Sequence, residues 1–485
     1  MKRLLLGSAG STALVVGCYA FTPVHDLCLG EECVTEGADV DAAPLCDTTQ
    51  APANVSDDYG VFVNGDVEAA ADADGSKDKP FKTIGQALGS LGSKSRVFVC
   101  ASSGAYAEQV NLPANVSLFG GFECGTWVYD CEKPKVAPDH PGVALSVSGS
   151  SGATVADVEF VSRDAPSAGD SSIAIFVANS TGIVLQRVTA TAGNGQNADV
   201  VTYIDDPIYC AGVQGNAAPG GAAGGAEQPC TCKDGTTSVG GAGGAVNAAG
   251  EDGKPIIPGG DNDGAGGAAG SMGHYGADAN TIASGGNGAS TYGELLAASW
   301  QPSSGSSGTA GSVGQGGGGG GGGPVLGGGG GGAGGCGGFA GFGGFGGGAS
   351  IVIAVYKSNV TLSECDLTSG KAGNGGQGTI GHTGQVGGMG GTAAGGATGG
   401  QGGSGSGGGG GGGGAGGISV GVLYSSGGSV TLDTATTIKL GTAGTGGAAG
   451  LGGAGGNNGT TTASSGSDGQ PGVAGFSGPI YPPNP

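Results

Sequence analysis

The stretch SIVIAVYKSNVTLSECDLTSGKAGNG, residues 350–375, opens with an apolar strand, passes a small polar turn, continues into a second strand and runs out into glycine. Three other stretches overlay on it: GVALSVSGSSGATVADVEF from Gly142, SIAIFVANSTGIVLQRVTATAGNG from Ser172, and ISVGVLYSSGGSVTLDTATTIKL from Ile418. In the second strand of each, Ala153, Ile183, Val360 and Val430 share one position. Val155, Leu185, Leu362 and Leu432 share the position two residues on, and Val158, Val188, Cys365 and Ala435 the one three further. Side chains alternate faces along a strand, so apolar residues at matching phase point the same way and can stack, unit on unit, into one core. Asn115-Val116-Ser117-Leu118 fits the same slot in an earlier unit.

The units are separated by unequal lengths of glycine-rich chain that leave at one phase, and two of these segments begin with the same AGNG. Insertions at one phase of a stacked repeat emerge on one face, so these segments are expected to be neighbours. The extreme case is GQGGGGGGGGPVLGGGGGGAGGCGG, Gly314 to Gly338, which by itself reads as a linker. Side-chain-free strands in the extended threefold conformation can also hydrogen-bond backbone to backbone, and the repeat predicts that packed arrangement here.

Upstream, PFKTIGQALGSL places Ile84, Ala87, Leu88 and Leu91 at helical spacing, followed by the strands RVFVC and EQVNL. A short amphipathic helix before repeating strands resembles the pectin-lyase-like superfamily. The run DGSKDKPFKTIGQAL, with VFVCASSGAYAEQVNLPANVSLFGGF after it, is similar to the N-terminal part of extracellular members that carry a Pro-Phe-x-Thr-Ile-x-x-Ala motif. The resemblance implies an all-β fold: a right-handed parallel β-helix with a short N-terminal capping helix and large Gly-rich loop insertions, polyglycine-II-like where they pack. The expected divisions are a signal peptide at 1–17, an acidic tether at 18–58, N-terminal coils at 59–200, insertions at 201–349 and 369–416, coils at 350–368 and 417–440, and a Gly-rich tail at 441–485.

The start of the chain, MKRLLLGSAGSTALVVGCYA, has a basic beginning, an apolar run too short to span a bilayer and a small-residue exit into Cys18. It resembles a bacterial lipoprotein signal peptide, of the kind carried by Gram-negative surface proteins such as those of myxobacteria. That resemblance implies lipid attachment at Cys18, a membrane partner held through the lipid, and, with Tyr19 following, an outer-membrane or cell-surface location. The alternative is an ordinary secretory peptide. Export makes Cys28, Cys33, Cys46, Cys100, Cys124, Cys131, Cys210, Cys230 and Cys232 disulfide candidates, with a Cys124–Cys131 loop expected beside Trp127. Cys336 and Cys365 are left over, and the odd number of mature cysteines leaves at least one thiol free. Cys230-Thr231-Cys232 lacks the spacing and second ligand pair of a zinc site.

The chain has 485 residues, 121 of them glycine, with a formal net charge of −22. A chain without a basic stripe cannot displace counterions from phosphates, which excludes nucleic acid as an expected partner. Catalysis on this scaffold needs clustered acidic residues, whereas Asp157, Glu159, Arg163, Arg187, Glu364 and Asp366 are scattered singly. The histidines His25, His140, His274 and His382 show no partner, and the acidic turns DADGSKD from Asp72 and GDNDGAGG from Gly260 read as turns rather than calcium loops. No catalytic residue, metal or cofactor is expected. Trp127 is the one candidate for stacking on a glycan. The Gly-rich blocks resemble the repeat regions of mycobacterial PE-PGRS proteins in composition alone. The expectation is a non-catalytic surface lipoprotein, structural or adhesive, that binds polysaccharide or a cell-surface glycan. A polysaccharide-degrading enzyme and a passive spacer are the alternatives.

Overall fold

The structure is a computed structural model that describes residues 46–68, 71–202, 209–259 and 263–481. The chain divides at Cys46, and all strands of the described residues belong to the unit that begins at Asp47. They are parallel apart from two small hairpins and form three main sheets. The first runs through Gly60–Val63, Arg96–Cys100, Ser117–Phe122, Thr154–Ala156, Ile183–Gln186, Asn359–Ser363 and Ser429–Leu432. The second runs through Lys135–Val136, Glu159–Val161, Thr189–Thr191, Asp366–Thr368 and Thr437–Lys439. The third runs through Val110–Leu112, Leu145–Ser148, Ser172–Ala178, Ser350–Tyr356, Ser419–Tyr424 and Ser477–Tyr481.

Register follows the repeat except in the last unit, where Asp366 pairs with Thr437, so that Thr436 and not the exposed Ala435 stands opposite Cys365. Ile183 pairs with Val360 and Val360 with Val430, while Leu185 pairs with both Val155 and Leu362. These residues, with Val188, Cys365, Ile353 and Val422, form one core in which all are buried except the half-buried Val430. The third sheet is buried on both faces: Ile175, Val177 and Ile353 belong to the main core, and Ile173, Phe176, Ile351 and Val420 to a second cluster on the other side. That explains why SIVIAVY and SIAIFVA are continuous apolar runs, which a sheet with one wet face would not require. Ile84–Gly89 is a helix with a capping box between Thr83 and Gln86, and the Glu108 carboxylate accepts from the N–H groups of Ile84 and Gly85 at 2.7 Å each.

The expected right-handed, pectin-lyase-like β-helix is corrected by this topology. The sheets are separate and open rather than closed on one another, strand is 23% and helix 2% of the described residues, and the arrangement is one of layered parallel sheets. Nor do the glycine-rich segments hang from coils as loops. Pairing in the second sheet continues past its strands: Ala192, Gly195 and Ala198 donate to the carbonyls of Thr368, Lys371 and Asn374, and Ala372 and Gly375 to those of Thr442 and Thr445. The glycine-rich chain is thereby held at the C-terminal ends of these strands and builds a second body.

Within that body the uninterrupted glycine runs are the centres. Gly317, Gly318 and Gly319 donate to Gly332, His274 and Glu251 at 2.8–2.9 Å, and Gly320 returns to the first neighbour at Gly329. Their carbonyls accept from Gly241, Gly400 and Gly267 in the same three-step rotation. An extended threefold helix makes no hydrogen bonds within itself, so a buried one must find every partner sideways. Six segments surround the 316–323 run, and they bond to one another around the ring, for example His274 to Ala265 and Gly331 to Gly241. The 407–414 run is enclosed likewise: Gly407, Gly408 and Gly409 donate to Ser464, His382 and Thr309. None of the glycines in these two runs, nor in 327–332, has a positive φ. Glycine is present for the absence of Cβ, since an added Cβ on Gly317, Gly318 or Gly319 would fall on the carbonyl oxygen of Gly400, Ala265 or Ala242.

Outer strands need less glycine. Gly375, Gly378, Gly381, Gly384, Gly387 and Gly390 face the 399–414 strand, where a Cβ would strike its carbonyls. Asn374, Gln377, Ile380, Thr383 and Met389, on the opposite side of the same helix, are exposed. One hydrogen bond nets about 1 kcal/mol, while ordering a backbone residue costs about 1–2 kcal/mol. A single glycine strand is therefore unstable, and simultaneous docking with close dispersion contact on all sides stabilises the bundle.

Candidate ligand cleft

The hairpin Gly293–Leu295 with Trp300–Pro302 lies across the outer face of the third sheet. Its cross-strand pair Leu295 and Trp300 is buried against Ile173, Phe176, Ile351 and Leu423. Gly293 lets the indole lie on the backbone, since a Cβ there would sit 2.5 Å from Trp300 Cζ2. Trp300 is 7% exposed, and its indole N–H is buried without a hydrogen-bond partner.

A cleft opens on each side of this indole. One, about 360 Å3, lies where the strands Ser350–Tyr356 and Ser419–Tyr424 end, and Tyr356, Tyr424, Tyr481, Lys357, Glu294 and Ser425 line it with Trp300. The other, about 470 Å3, is bounded by Pro141, Val143, Pro166, Asp170, Ile173 and Pro302. In the first, the Lys357 ammonium stands 5.2 Å from the centroid of the Tyr356 ring. Lys357 has φ 46°, and its N–H donates to Ser425 Oγ at 2.8 Å, which fixes the turn. Tyr481 is wedged against Phe476 and Tyr292, with centroids 5.4 and 5.6 Å away. The result is a set of half-buried rings lining the cleft together with one cation and one carboxylate.

No family model, no curated protein and no solved structure matches this chain. The chemistry of the cleft rests on its own residues.

Trp127, the expected stacking residue, is 6% exposed and packs among Phe62, Phe122 and Tyr129, with its indole N–H donating to the Lys77 carbonyl at 3.2 Å. A ring held on both sides by core aromatics presents no face to a sugar. The exposed aromatic cleft lies instead beside the chain's other tryptophan, for which SWQP carried no distinguishing signal.

Cys124 pairs with Cys100, which replaces the expected Cys124–Cys131 loop; Cys46 and Cys131 are also disulfide-bonded. Cys210 pairs with Cys230 and Cys232 with Cys336, a cysteine the sequence left unassigned. The sulfurs of Cys210, Cys232 and Cys336 lie within 4.8 Å of one another, but as disulfides they offer no thiolate to a metal. Cys365 is free and buried, and burial pushes its thiol up to about 11. Cys18, Cys28 and Cys33, with His25, lie outside the described residues.

The charged residues of the repeat are engaged structurally. Arg187 grips Asp157 with both ends of its guanidinium at 2.6 and 2.7 Å and reaches Gln50 Oε1 at 2.6 Å; Asp157 and Arg187 both sit at positive φ in stacked turns. Glu159 pairs with Lys135 at 3.0 Å, Asp366 accepts from Thr437 Oγ1 at 2.6 Å, and Arg163 donates to the Pro138 carbonyl at 3.0 Å. Asp74 accepts from Ser76 N–H, closing a turn, and Asp72 pairs with Lys79. His274 contacts Asp263 at 2.9 Å in the open, and His382 is buried against Phe339.

Proposed function

We propose that this chain is an exported surface protein, anchored through lipid on Cys18, that acts without catalysis as a structural or adhesive element binding polysaccharide. The observation that carries the adhesive reading is the aromatic cleft beside Trp300, held on a sheet buried on both faces. Rigid aromatic side chains with polar tips supply contact area with little loss of rotamer freedom, which suits shallow recognition of a ring with apolar faces and hydroxyl edges. Export is supported by the disulfides, which persist in oxidising compartments. The non-catalytic reading is supported by Asp157, Glu159, Asp366 and Arg187, whose partners tie them into the fold.

The reading is tested in two steps. Labelled fatty acid should be incorporated into the full chain and lost in Cys18→Ser, which should move from the membrane fraction to the soluble one. Purified protein should bind immobilised polysaccharide and whole cells without releasing reducing or unsaturated ends. New chain ends would assign an enzyme, and absence of any binding would leave a spacer.

A further inference from the structure

The geometry points to the roughly 360 Å3 cleft between Trp300 and Tyr356 as the site that takes a neutral hexose segment of a polysaccharide. This rests on the adhesive reading and adds its site and ligand class. The volume falls within the roughly 300–1,000 Å3 usual for small-molecule sites, enough for a short saccharide rather than a protein segment. Its walls are the rings of Tyr356, Tyr424 and Tyr481, all half-buried, so each keeps part of a face or edge in solvent. The lining also holds an ammonium, a carboxylate and a hydroxyl, from Lys357, Glu294 and Ser425, with the ammonium beside the Tyr356 ring. A sugar ring offers the complement: axial C–H groups for the aromatic faces, and hydroxyls that both donate and accept.

The charge balance selects among sugars. Lys357 and Glu294 cancel locally, while the whole chain carries −22. A polyuronate would approach against that field with one ammonium to receive it, so a neutral chain is favoured. The anchoring supports a pre-formed site. Tyr481 is braced by Phe476 and Tyr292, and the Lys357 turn is tied to Ser425, so little has to be ordered on binding.

The chain contains two tryptophans, Trp127 in the aromatic core and Trp300 at the cleft, which gives a local reporter. In Trp127→Phe protein, cellohexaose or maltohexaose should shift Trp300 emission saturably, and hexagalacturonate should bind at least about tenfold more weakly. Glu294→Gln with Lys357→Asn, both exposed and the latter compatible with its left-handed φ, should weaken binding by about five- to tenfold at unchanged melting temperature. Tyr356→Ala should weaken it by a similar factor. Calorimetric titration of the otherwise unmodified chain gives the same comparison without the Trp127 change. Tighter binding of hexagalacturonate would overturn the ligand class. Polysaccharide binding by the intact protein that is unaffected by all three substitutions would overturn the site while leaving adhesion intact. No saccharide binding at all would overturn both.

Discussion

At the scale of single residues, the glycines of the bundle are fixed by what surrounds them. Gly317 has a backbone carbonyl where its Cβ would be, and backbone cannot move aside as a side chain can. Gly317→Ala should therefore cost about 3 kcal/mol, the upper end of ordinary overpacking. Thr445→Ala, at an exposed position on an outer strand, should change stability by less than about 0.5 kcal/mol. Denaturant unfolding of the two variants checks the contrast. A second residue-scale prediction concerns acid. Asp433 accepts from Thr436 Oγ1 and N–H at 2.8 and 2.9 Å, and from Ser363 Oγ at 2.8 Å, and these bonds hold its carboxyl down at about 2. A depressed carboxylate stabilises the fold above its unfolded value near 4 and loses that contribution as pH falls through about 2. Asp433→Asn should melt below the parent at pH 7, and the gap should close between about pH 4 and pH 2.

At the scale of elements, the spacing of glycine reports a strand's number of neighbours. The 316–323 and 407–414 runs are surrounded and all glycine; the 373–390 strand keeps glycine every third residue toward the bundle and other side chains outward. Gly316 to Gly323 are buried and every one of their amides donates to a backbone carbonyl, so hydrogen exchange there should be slowed to the level of the strand Ser350–Tyr356. Free exchange through this run would mean that it is a linker. A glycine run followed from sequence alone satisfies either description, because the chain carries no side chain to report its partners. The third sheet shows the complementary limit: its continuous apolar strands announced burial, but the cover on its outer face comes from the hairpin around Trp300, remote in sequence.

At the scale of the molecule, the glycine body and the sheets are tied at the C-terminal ends of the second sheet's strands, and Cys210–Cys230 and Cys232–Cys336 stitch the glycine body internally. Cys232–Cys336 closes a separation of 104 residues that includes the 316–323 run. In the chain-entropy account a loop of about 100 residues contributes about 4–5 kcal/mol. Cys232→Ser with Cys336→Ser should lower the denaturation midpoint accordingly, with Cys210–Cys230 intact as judged by mass spectrometry of proteolytic fragments. Charge acts at this scale too: a net −22 keeps so low-complexity a surface apart from its copies, and polysaccharide binding should persist as salt is raised if the ligand is neutral.

The sequence by itself determined the stacking register, because matched apolar positions such as Ile183, Val360 and Val430 have one way to bury together, and it determined the helix at Ile84 through its spacing and cap. It also determined that glycine-rich segments leave at a common phase. Tertiary structure alone decided that the sheets stay open and which strands each glycine run bonds to; the packed glycine arrangement is itself expected from the repeat. It likewise decided that Cys336 joins Cys232, and that Trp300 rather than Trp127 stands at a cleft. The physical reason is common to all four. Each depends on which distant backbone or ring fills the space beside a residue, and neither glycine nor a lone aromatic carries a local pattern that names its neighbour.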